Sequence, residues 1–179
     1  SLFSFLILRP VDSLLSDNSQ SSAPHIIIEP ACRNTAPAIV LGIKYCVEKI
    51  GCPKEEVLFV SPCDHIIRPV EKFCQYVRQS EEIAKEGHIL TFGIRPLRPE
   101  TGYGYIEAKS KEQGAKGKEY LIVEKFTEKP DAETAQRYLE KGNYYWNSGI
   151  FVFTISLIEE EFMKHAPEIG KGLEKSFDE

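Results

Sequence analysis

VLFVSPCDHII, residues Val57 to Ile67, is an apolar run that stops at a Ser-Pro-Cys-Asp-His corner. Its β-branched opening and abrupt end predict a buried parallel strand that delivers Asp64 to the carboxyl edge of a sheet. Ligands bind at that edge in open α/β folds. A lone carboxylate there, without a Cys or His cluster at ligand spacing, suits a hard cation such as Mg²⁺ held jointly with substrate phosphates. An aspartate in this place can equally accept backbone N–H bonds in the turn before the next helix, and position alone leaves both readings open. His65 reads as a strand-end histidine that satisfies loop backbone, not as a general base.

Upstream, HIIIE (25–29) predicts a short buried strand closed by Pro30. Arg33-Asn34-Thr35-Ala36-Pro37 reads as a helix start, with Asn34 or Thr35 capping and Pro37 in the first turn, where a missing N–H is harmless. Ile39, Val40, Ile43, Val47 and Ile50 keep helical period and Gly51 supplies the stop. Handedness rules make the strands on either side of this helix parallel neighbours or near neighbours. Downstream, a helix over 70–86 with Phe73, Cys74, Val77 and Ile83 inward ends at Gly87, and HILTFGI (88–94) is the next strand. Two β-α-β units in succession predict a Rossmann-like, doubly wound α/β fold with its site at the strand ends.

After Arg95 the pattern changes. TGYGYIE and EYLIVEKFTEKP flank a basic, glycine-punctuated turn (109–118), which predicts a β-hairpin over the active-site mouth. Gly102 and Gly104 would let backbone approach a ligand, or adapt a bulge at the strand start. Glu128 and Lys129 pair an acceptor with a compact cation that could hold a hydroxyl and a phosphate; a solvated strand end is the plainer reading. Asp131 caps a helix that runs to Gly142, and NYYWNSGIFVFT returns as an aromatic strand in which Asn147 invites a hydrogen-bonding partner. Ser156 with Glu159 predicts a capping box.

The 179 residues suffice for one domain with a real core, and 42% hydrophobic with 27% charged residues is a globular balance. A net charge of -5 argues against a nucleic-acid groove, and the turn at 109–118 lacks interleaved aromatics. No apolar run reaches the roughly 18 residues of a membrane span. Five cysteines, odd in number and without C-x-x-C spacing, predict free thiols in a reducing cytoplasm. SLFSFLIL has no basic residue before it and is not read as a signal peptide. Residues 1–24 are poorly defined: the first nine or so read as a short apolar helix or strand ending at Arg9-Pro10, and SLLSDNSQSSAP after them as loop or disorder.

Taken in order, EPACRNTAPAI (29–39), CDHII (63–67), FGIRPLRPETGYGYIE (92–107) and VEKFTEKPDAETAQRYLEKGNYYWNSGIFVF (123–153) resemble the mannose-1-phosphate guanylyltransferases of the sugar nucleotidyltransferase superfamily. The resemblance implies that Glu29, Arg33, Asn34 and Thr35 lie by the nucleotide and that Asp64 binds Mg²⁺. It sets Gly104, Glu128 and Asn147 on the sugar hydroxyls and Lys129 on the sugar phosphate, so that Asp64 and Lys129 carry the catalysis. The implied reaction joins GTP and mannose 1-phosphate into GDP-mannose with release of pyrophosphate. A homo-oligomer is compatible with this reading. Glucose 1-phosphate with dTTP or UTP, and a non-catalytic nucleotide-sugar-binding module, are the alternatives. The family's glycine-rich triphosphate loop and a second metal-binding Asp have no counterpart here, and SLFSFLILR resembles the helix after that loop. Residues 1–179 are therefore expected to be part of a nucleotidyltransferase domain, inactive by themselves.

Overall fold

In the computed structural model, which describes residues 6–10, 26–29, 34–113, 117 and 119–174, strand β1 (Leu6–Pro10) runs antiparallel to β2 (Val57–Pro62), with Leu8 opposite Val60 and Pro10 opposite Leu58. The chain forms two compact units, Ser1–Leu90 with Phe151–Glu179, and Thr91–Ile150.

The first unit is built on β2. Helix α1 (Thr35–Tyr45) begins after Asn34, whose extended backbone is that of an N-cap, and continues as a π-helical turn (Cys46–Ile50). Gly51 ends it at φ +79°, a left-handed conformation open to glycine, and the Cys52 N–H donates to the Cys46 carbonyl at 2.9 Å. Ile39, Ile43 and Cys46 pack with Leu58, Val60 and Phe153 in one buried cluster. Phe59, between those two β2 residues, meets Phe73 of helix α2 (Val70–Lys85) edge to face, with ring centres 6.1 Å apart. Strand alternation thus gives α1 and α2 opposite faces of β2. Full burial of Leu58 and Ile43 contributes about 1.5–3 kcal/mol each.

The expected parallel partner of β2 is not found. Residues 26–29 form no strand, and Ile26 and Ile28 are exposed. A strand has two edges, and those of β2 are taken by β1 and by the end of a later strand, both antiparallel. Of the helix or strand expected over the first nine residues, Leu6–Pro10 takes the strand.

The second unit begins in strand β3 (Leu90–Ile94). Strands β4 (Gly104–Gln113) and β5 (Glu119–Glu128) make the expected hairpin. Helix α3 (Ala132–Lys141) starts as Asp131 accepts the Thr134 N–H at 2.7 Å and stops at Gly142. Strand β6 (Tyr144–Thr154) gives Tyr144–Ile150 to this unit, pairing with β4 at Tyr105–Trp146, and Phe151–Thr154 to the first, pairing with β2. Tyr105, Tyr144 and Ala135 are buried together, with the Tyr138 ring stacked on Tyr144 at 3.8 Å. Helix α4 (Ile155–His165) follows β6 directly, so its cap is Thr154, whose hydroxyl accepts the Leu157 N–H; Ser156 lies inside the helix and the expected capping box is absent. A short helix, α5 (Pro167–Gly170), follows it.

Candidate active site

Gly104 opens β4 directly opposite Glu128 at the end of β5, and the register stays regular to Glu107. The irregularities come later, beside Ala108, so Gly104 does not mark a bulge. A Cβ at Gly104 would lie 2.7 Å from Phe126 Cζ and 2.8 Å from Glu128 Oε2. Glycine is thus required for the Glu128 carboxylate to fold against the backbone of β4. Lys129 has a left-handed backbone, φ +45°, unusual for a residue with a side chain. Its N–H donates to the Tyr103 carbonyl at 3.2 Å, and its ammonium stands 3.7 Å from Glu128 Oε1, both side chains largely exposed. The structure therefore gathers Gly104, Glu128 and Lys129 at one end of the hairpin.

Asn147 belongs to the same face. Trp146 pairs with Tyr105 and packs against the buried cluster of Tyr105, Tyr144 and Ala135 on the α3 side. The next residues along each strand, Asn147 and Gly104, point the other way. Asn147 Oδ1 lies 2.8 Å from Thr91 Oγ1 on β3, and the same hydroxyl lies 2.9 Å from the Ile150 carbonyl.

The loop before β4 is wired in place by Glu100. Its carboxylate accepts from the Gly102 N–H at 3.2 Å and from Arg98 at 3.1 Å, and its own N–H donates to the buried Tyr105 hydroxyl at 2.9 Å. The Gly102 amide, with Arg98 second, holds the Glu100 carboxyl below the usual carboxylate range. Glu107 is held low by the Tyr144 hydroxyl and then by Asn143, which locks β4 to the start of β6.

In the first unit, Asp64 follows β2 with its side chain 78% exposed, 3.7 Å from His65 Nε2, so the histidine faces the aspartate instead of closing the loop backbone. Asn34 makes no side-chain cap bond, and it and Thr35 are exposed at the start of α1, whose first turn holds no acidic residue. Glu29 is half-buried in irregular chain, and Arg33 lies outside the described residues. No hydrogen bond or ion pair joins Glu29, Asn34, Thr35 and Asp64 to one another among the described residues. Nor do the described residues contain a group of three or more His, Cys, Asp or Glu able to hold a metal.

A family model described as nucleotidyl transferase matches residues 9–179. The chain belongs to the nucleotidyl transferase family. It is 44% identical over 149 residues to mannose-1-phosphate guanylyltransferase 2 of Escherichia coli O157:H7, covering 81% of this chain and 30% of that protein. It is 41% identical to mannose-1-phosphate guanylyltransferase RfbM of Salmonella typhimurium, covering 94% and 33%. A solved structure described as mannose-1-phosphate geranyltransferase from Thermus thermophilus superposes with TM-score 0.72 at 37% identity, over 83% of this chain and 41% of that one. The nucleotidyl transferase chain thus spans about a third of the length of these curated relatives, and its α/β fold is that of the sugar nucleotidyltransferases. No helix among the described residues is long and apolar enough to cross a membrane.

Sequence reasoning missed Thr91 and Glu100 in this nucleotidyl transferase. Thr91 carried one signal, a polar β-branched residue between Leu90 and Phe92. Glu100 carried less, because Pro-Glu-Thr-Gly reads as an ordinary turn.

Proposed function

We propose that the protein carrying these residues transfers GMP from GTP to mannose 1-phosphate, giving GDP-mannose and pyrophosphate. The observation that carries this reading is the cluster of Gly104, Glu128 and Lys129, with Asn147 on the same face: acceptors for sugar hydroxyls beside one exposed cation for a phosphate. The names of its relatives support mannose 1-phosphate over glucose 1-phosphate with dTTP or UTP.

In this reading Gly104, Glu128 and Asn147 orient the sugar, and Lys129 neutralises and aligns its phosphate so that a phosphate oxygen attacks the α-phosphorus of GTP. Such a transfer needs alignment and charge neutralisation more than a covalent nucleophile. Glu29, Arg33, Asn34 and Thr35 would receive the nucleotide, the uncompensated start of α1 favouring an anionic group. Asp64, exposed at the end of β2, fits a hard cation that takes its other ligands from water and phosphates, so Mg²⁺ is the ion it would hold. When bound, Mg²⁺ supplies charge neutralisation to the phosphates. A reducing cytoplasm suits the free thiols Cys46, Cys52, Cys63 and Cys74.

The test is a substrate matrix of GTP, dTTP and UTP against mannose 1-phosphate and glucose 1-phosphate, read as pyrophosphate release. Release confined to GTP with mannose 1-phosphate is expected. Turnover of dTTP or UTP with glucose 1-phosphate instead would move the assignment, and binding without any release would make the protein a non-catalytic module.

A further inference from the structure

Thr91 Oγ1 stands 2.8 Å from the end of the Asn147 carboxamide assigned as Oδ1 and 2.9 Å from the Ile150 carbonyl oxygen, and the hydrogen bonds around it argue for the opposite assignment. A threonine hydroxyl has one proton to donate, while a backbone carbonyl can only accept. If the carboxamide presents its oxygen to Thr91, two acceptors compete for that proton and one contact is left without a hydrogen bond. If it presents its NH₂, both contacts are satisfied, because Asn147 donates to Thr91 Oγ1 and Thr91 donates to the Ile150 carbonyl. The two ends of a carboxamide have the same shape, so the surrounding hydrogen bonds decide which one faces Thr91. Gly149, at φ +73°, and the Ser148 hydroxyl that accepts the Ile150 N–H at 3.2 Å shape the stretch of β6 that carries this carbonyl.

We infer that Thr91 is a positioning residue that fixes the Asn147 carboxamide with its NH₂ toward β3 and its oxygen toward the face shared with Gly104. That face then offers acceptors, the Asn147 oxygen and the Glu128 carboxylate, and so selects a ligand that presents hydroxyl donors there. The inference deepens the proposed function and rests on it for the identity of the ligand, mannose 1-phosphate; the orientation of Asn147 does not.

The orientation is read in the ligand-free protein from hydrogen exchange of the Asn147 side-chain amide, followed by NMR with Thr91→Val and Thr91→Ser. Slowed exchange is expected in the parent and in Thr91→Ser, with protection lost in Thr91→Val. In a separate titration, mannose 1-phosphate affinity is expected to fall about 3- to 10-fold in Thr91→Val, the loss of one hydrogen bond, and to return with serine, while GTP affinity stays unchanged. An unprotected Asn147 amide in the parent, or protection that survives Thr91→Val, overturns the inference. Protection as expected with no affinity for mannose 1-phosphate in any variant upholds the orientation and refutes the proposed function instead.

Discussion

Replacing Gly104 by alanine separates stability from binding. The new Cβ would sit 2.7 Å from Phe126 Cζ and 2.8 Å from Glu128 Oε2, and both must retreat to at least 3.4 Å for ordinary contact. Each is the far end of a side chain at least half exposed, Phe126 at 50% and Glu128 at 59%, so both can swing into solvent. The stability cost should therefore fall at the low end of the about 1–3 kcal/mol typical of overpacking. Binding is affected differently. A shift of about 0.6 Å takes a carboxylate hydrogen bond from good length to the edge of its range. Losing one charge-assisted bond costs about 1.5–3 kcal/mol, or about 10- to 150-fold in affinity. Titration calorimetry with mannose 1-phosphate, beside urea unfolding of the same Gly104→Ala protein, measures both quantities. Unchanged affinity in a folded variant would refute the role given to Glu128. A loss of stability above about 3 kcal/mol would refute the claim that its neighbours can yield.

Gly93→Ala makes the opposite case: its Cβ would meet Tyr145 Cβ at 2.9 Å, the root of a side chain that cannot swing away, so urea unfolding should show a greater loss than Gly104→Ala, toward the upper end of about 1–3 kcal/mol. Asp131 is held below its ordinary carboxyl range by the Thr134 amide, so the stability it adds is complete above that range and is lost as pH falls through the depressed value. Asp131→Ala should lower Tm at neutral pH, with a deficit that shrinks in acid. The Cys46 thiol is pushed up to about 12, chiefly by burial and then by Cys52, whereas Cys63 is exposed. Iodoacetamide at neutral pH, followed by peptide mass spectrometry, should modify Cys63 in the folded protein and Cys46 only after unfolding.

What could be read from the sequence depended on the range of the interaction behind it. The start of α1 at Asn34 with Pro37, its stop at Gly51, and the Asp131 and Gly142 ends of α3 are local features, and they stand where the sequence placed them. The hairpin of β4 and β5 was legible too, because its turn and alternation lie within one stretch. The partners of β2 were not, since Leu6–Pro10 and Phe151–Thr154 reach it from distant parts of the chain. Ser156 misled because β6 runs straight into α4 and leaves Thr154 as the extended residue before it. At the site, residue types marked Gly104, Glu128 and Lys129, but only register showed why Gly104 must lack a side chain. Thr91 was hidden because its meaning depends on Asn147, 56 residues along the chain.

The most direct test of the proposed chemistry is pyrophosphate release from GTP and mannose 1-phosphate, with Mg²⁺, by the protein that carries these residues, run beside its Glu128→Gln and Lys129→Ala variants. Release that depends on mannose 1-phosphate and falls sharply in both variants is the expected result. Release that both variants leave unchanged, or none at all from the parent, would contradict it.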